Sequence, residues 1–112
     1  MDNDQWIISL KAAAYTRMGD TQKHLHFVFL NFDPEYERLQ SDRTKRGARE
    51  VEMYLSNKHD DLLAKKLEPG TYNKTLSLFI VDAFAVQVTD AQANVLRSAK
   101  EVRAVEKNQE LA

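Results

Sequence analysis

The chain has 112 residues, enough for one domain with little room for a second. Hydrophobic residues make up 43% and charged residues 29%, and sixteen Lys+Arg stand against seventeen Asp+Glu, so the basic excess of a bulk nucleic-acid binder is missing. No apolar run approaches the roughly 18 residues that a membrane helix needs, and the lack of cysteine excludes disulfides, thiolate metal sites and a cysteine nucleophile.

Trp6–Lys11 places Trp6, Ile8 and Leu10 on one face and predicts a first strand. The polar Asp2–Gln5 start before it shows no basic, apolar signal peptide. Residues 12–43 read as an irregular insertion after that strand, expected to be the least ordered part of the domain and dispensable to its sheet. Inside it, His24–Phe32 is rich in aromatic and β-branched residues and is a candidate strand. Asp33-Pro34 ends that run, and Glu35–Gln40 suits one helical turn.

Thr44–Leu67 reads as a helix, with Val51, Leu55, Leu62 and Leu63 on one stripe and His59 in the gap between Leu55 and Leu62. Lys58, Lys65 and Lys66 lie toward its C-terminal turns, where cations suit the dipole, and Glu68-Pro69-Gly70 stops it. Tyr72–Val81 and Ala83–Val88 read as the strands of a hairpin, interrupted at Asp82. Phe84, Val86 and Val88 alternate with Ala83, Ala85 and Gln87. Thr89-Asp90-Ala91-Gln92 fits a capping box and opens a helix that ends near Ala99-Lys100. Val102–Val105 is the last strand, and Glu106–Ala112 is a polar tail.

The predicted order is β-α-β-β-α-β. That is the α+β, ferredoxin-like split βαβ arrangement, an antiparallel sheet with two helices on one face, here as a single domain over 1–112. Many functions share this fold, so it does not settle what the chain does.

Few residues point to catalysis. His24 and His26 share a face of their strand, but no carboxylate pair is placed to complete a metal site, so no metal or cofactor is expected. Gly19, Gly47 and Gly70 are too far apart for a phosphate loop, and no nucleophile–base pair stands out, so the chain is not expected to be an enzyme. Arg38, Arg43, Lys45, Arg46 and Arg49 form a basic cluster, and Arg43-Thr44-Lys45-Arg46 has the look of a dibasic processing site. The plainer reading is a solvated first helical turn. Asn73-Lys74-Thr75 is an N-glycosylation acceptor pattern.

From Val81 to Asn108 the sequence resembles the C-terminal half of the propeptide inhibitor domain of subtilisin-like serine proteases, the plant type above all. Asp82-Ala83-Phe84-Ala85 resembles the family's small-residue strand start. Val88-Thr89 resembles its helix cap, and Ala93 with Leu96 its inward helix positions. Val102 with Val105-Glu106 resembles its last strand, and Lys107–Ala112 its tail. Upstream, His59-Asp60-Asp61-Leu62-Leu63 looks like the family's H-D-x-L-L helix, and Tyr72-Asn73-Lys74-Thr75 like the start of its second strand. Trp6–Lys11 takes the place of its opening strand. The resemblance runs along the whole chain except the insertion.

What it implies is inhibition and chaperoning of a subtilisin-like protease, with the outer sheet face against two enzyme helices and the tail in the substrate cleft. The corresponding protease-binding residues are Ala83, Ala85 and Gln87 on the outer face, and Glu106, Asn108, Gln109, Glu110, Leu111 and Ala112 along the strand end and tail. His59, beside Leu55, Leu62 and Leu63, is expected to be partly buried and is a candidate pH switch. The free chain is expected to be a monomer with no nucleic-acid or membrane partner. As part of a precursor it would belong to the secretory pathway or the extracellular space. The alternative is a ferredoxin-like interaction module that binds another protein through the same sheet, for which the tail would be dispensable.

Overall fold

A strand at the centre of a sheet must be apolar on both faces, and HLHFVFL meets that demand. It forms β1 (His24–Leu30) in the computed structural model, which describes residues 22–109. A short helix, α1 (Pro34–Gln40), follows, then the long α2 (Lys45–Lys66), β2 (Asn73–Leu78), β3 (Ala83–Val88), α3 (Asp90–Arg97) and β4 (Val102–Lys107). The sheet has the order β2-β3-β1-β4, antiparallel throughout. This is the α+β ferredoxin-like arrangement, with α1 added between the first strand and the long helix.

The expected insertion at 12–43 is therefore corrected. It contains a central strand of the sheet, because β1 lies between β3 and β4 and pairs with both. It also contains α1, whose Tyr36 is buried and donates from its hydroxyl to the Phe79 carbonyl at 2.6 Å. The expected strand Trp6–Lys11 lies outside the described residues, as do Glu110, Leu111 and Ala112.

Local chemistry sets the helix ends. Asp33 caps α1 by accepting from the Glu35 amide, with Pro34 in the first turn. Thr44 caps α2 by accepting from the Gly47 amide at 3.1 Å, and Asp42 in turn accepts from the Thr44 amide and hydroxyl. Lys45 and Arg46 thus lie in a capped helical turn, not in the extended form that a protease cleaves. Thr89 and Gln92 form the reciprocal capping box of α3. After α2 the chain turns at Gly70, whose φ of 80° suits glycine.

The helices cover one sheet face. Val28, Leu30, Phe84, Val86, Val88, Val102 and Val105 meet Leu62 and Leu63 of α2 and Ala93 and Leu96 of α3 in one core cluster. Tyr36, Val51 and Leu55 form a second cluster where α1 packs on α2.

Candidate functional site: the open sheet face and the anchor beneath it

Partners in an antiparallel register share a face, so the pairing fixes what the uncovered side displays. At one end of it Asn73, Gln87 and Leu25 stand in a row, and the Asn108 amide donates to the Leu25 carbonyl at 2.8 Å to extend that row. The next row is Leu76, Ala85, Phe27 and Glu106. The third is Leu78, Ala83, Phe29 and Ala104, with the Arg103 guanidinium 5.5 Å from the centre of the Phe29 ring. The face is apolar in its middle, amide-rich at one end, and carries one strand cation and one strand carboxylate.

Ala83, Ala85 and Gln87 point to this side, as expected, but the two alanines are not surface residues. Ala83 is 0% and Ala85 1% exposed. Each sits between larger partners, Phe29 and Leu78 for one, Phe27 and Leu76 for the other. Any contact surface is thus carried by the flanking phenylalanines and leucines. Glu106, Asn108 and Gln109 are exposed, Glu106 beside Phe27 in the register. Near the point where the tail leaves β4, Lys107 bonds Asp90. That hydrogen bond, with the cation's charge, holds the Asp90 carboxyl below its ordinary value. His26 is buried at the same place, its Nδ1 2.8 Å from the His24 carbonyl oxygen and its Nε2 3.7 Å from Asp90.

Beneath the sheet lies a polar network that the sequence reading missed. His59 is fully buried rather than partly so. Its Nε2 lies 2.8 Å from Asp82 Oδ1, its Nδ1 2.8 Å from Ser77 Oγ, and its ring 4.8 Å from that of Phe84. A carboxylate oxygen accepts, so His59 Nε2 donates to Asp82, while Ser77 Oγ, which also accepts from Lys74, is the partner of Nδ1. Lys58 donates to Asp82 and also to Asp33 at 2.9 Å, and the Tyr54 hydroxyl donates to Asp33 at 2.6 Å. Burial pushes the Asp33 carboxyl up, but the bonds from Tyr54 and Lys58 outweigh this and hold it below its ordinary value. Burial, together with the bond to Asp33, drives the Tyr54 hydroxyl upward.

Ser77, His59 and Asp82 repeat the order of contacts in a serine-hydrolase triad. A ring with no exposed surface offers no face to a substrate, so here the contacts join elements. Asp82 sits at the β2–β3 turn, His59 and Lys58 on α2, and Asp33 at the N-cap of α1. In the sequence Asp82 stands out as a break between strands and as the first residue of the Asp82-Ala83-Phe84-Ala85 motif, with nothing to mark it as the partner of His59. The signal was one carboxylate in an apolar run and one histidine on an apolar helix stripe, each needing a buried partner.

Among the described residues no group of three or more His, Cys, Asp or Glu side chains could hold a metal ion, and no helix is long and apolar enough to cross a membrane. Compared with protein-family models, curated proteins and solved structures, the chain matches none.

Proposed function

We propose that this chain is a propeptide-like inhibitor and folding-assistant domain for a subtilisin-like serine protease. The observation that carries the reading is the open sheet face. Leu25, Phe27, Phe29, Leu76 and Leu78 form an apolar surface, Leu76 exposed and the other four half-buried, over which no helix lies among the described residues, and the neighbouring strand leads into the exposed Asn108 and Gln109. Such a surface suits a packed protein partner, and the tail suits strand addition, where main-chain bonds give affinity and side-chain pockets give specificity. On that face the described strands carry one cation, Arg103, and one carboxylate, Glu106, a balance that favours a protein surface over a polyanion.

His59 and Asp82 lend further support, because they belong to two separate motifs of the resemblance and are bonded to each other. The family's opening strand is then matched by His24–Leu30 in place of Trp6–Lys11.

The test is titration of the purified chain into a plant subtilase assay, with and without Gln109–Ala112. Saturable inhibition that weakens sharply on truncation supports the reading. A chain that leaves the enzyme untouched, while its apolar face still binds another protein, moves the assignment to a ferredoxin-like interaction module.

A further inference from the structure

We propose that Asn73 is an N-glycosylation site and that its glycan closes the open sheet face to a docking partner. The modification does not depend on the protease reading; only its effect on inhibition rests on that reading. Asn73-Lys74-Thr75 has the acceptor pattern, and Asn73 opens β2, which lies at the edge of the sheet. Asn73 and Thr75 are exposed, and the register shift between Lys74 and Leu76 leaves Thr75 without a cross-strand partner. Lys74, between them, turns the other way. It is 17% exposed and bonds Asp60 at 2.7 Å, with Ser56 and Ser77 at 3.2 Å. The middle residue ties the strand to the helix layer while both recognition residues face solvent.

The chemistry is a group transfer from a lipid pyrophosphate-linked oligosaccharide. A bond forms between the Asn73 amide nitrogen and the anomeric carbon, and the bond from that carbon to the pyrophosphate oxygen breaks. The nitrogen gives up one proton, and the lipid pyrophosphate leaves with the bonding electrons.

The consequence follows from the register. Asn73 lies opposite Gln87, and Leu25 and Asn108 continue the same row toward the tail. A branched oligosaccharide is much wider than the roughly 5 Å strand spacing. Rooted at Asn73, it projects over that row and keeps a flat partner away from Phe27 and Leu76. The Lys74–Ser77–His59 contacts are on the opposite side, so the fold is left intact.

The test is secretion of the chain from a eukaryotic host behind a cleavable leader, beside Asn73→Gln and Thr75→Ala from the same host. Intact mass should show an oligosaccharide on the original chain and on neither variant. The glycosylated chain should inhibit a plant subtilase at least about tenfold less well than Asn73→Gln, and should bind less anilinonaphthalene sulfonate at its apolar face. A secreted chain without oligosaccharide overturns the site. Equal dye binding by the glycosylated chain and Asn73→Gln overturns the closing of the face, whatever the protease assay gives. Failure of every form to inhibit, the unglycosylated bacterial product included, counts against the protease reading, and dye binding then decides the proposal.

Discussion

Asp82→Ala removes the side chain that ties the β2–β3 turn to α2 through two bonds. The Asp82 side chain is 8% exposed, and its carboxylate holds the fully buried His59 on one oxygen and Lys58 on the other. Alanine leaves His59 Nε2–H with no acceptor, and an orphaned buried donor costs about 1–3 kcal/mol. Lys58 keeps Asp33 and is 23% exposed, so losing its second carboxylate belongs at the low end of the about 1.5–3 kcal/mol typical of charged hydrogen bonds. Together these give about 3–4 kcal/mol, in line with the about 3–5 kcal/mol for breaking a buried pair from one side. A domain of this size has roughly 5–15 kcal/mol in all.

The assay is urea unfolding followed by far-ultraviolet circular dichroism. The midpoint should fall with an unchanged slope, and thermal unfolding should drop by about 12 °C or more. The double variant His59→Phe/Asp82→Ala should lose less than the sum of the single losses, because it removes donor and acceptor together. A loss below about 1 kcal/mol for Asp82→Ala, or strict additivity in the double variant, would show that water replaces the carboxylate and refute the anchor.

Gly47→Ala should destabilise by about 1–3 kcal/mol despite alanine's helix preference, because a Cβ there would collide with the Asp42 carbonyl oxygen and side chain; a gain in the thermal midpoint would contradict this. Asp33 is held below its ordinary value, so its contribution is full above the unfolded-state value and is lost as pH falls through the folded-state value. Tyr54→Phe should therefore cost about 1–2 kcal/mol near neutral pH and progressively less in acid, and a deficit constant with pH would disprove the link. Glu106→Ala should weaken protease inhibition by about 1–2 kcal/mol, the scale of a lost helix cap, without altering the isolated fold. Removal of Gln109–Ala112 should weaken it more, and inhibition constants indifferent to both changes would disfavour the protease reading.

The features legible in the sequence are those that neighbouring residues decide. Thr89 caps α3 as its capping box predicts, Thr44 caps the helix expected to begin there, and the stripe of Val51, Leu55, Leu62 and Leu63 is the buried face of α2. The choice of β1 depends instead on distant partners. Trp6–Lys11 and His24–Leu30 both have strand composition, and position in chain order favours the first. The distinguishing sign is that Phe27 and Phe29 alternate with Val28 and Leu30, apolar on both sides as a central strand requires. Mistaking that strand also hid the site, because Phe27 and Phe29 are the large side chains of the open face. Ala83 and Ala85 stood out in sequence because they are small, yet their smallness serves the packing of larger partners in register. Asp82 and His59 were each visible as a polar residue in apolar surroundings, while their pairing spans 23 positions and becomes legible only once α2 lies across the hairpin. The open face and its anchor are thus both products of long-range pairing, so a variant that disturbs β1 register should damage both while leaving the helix caps in place.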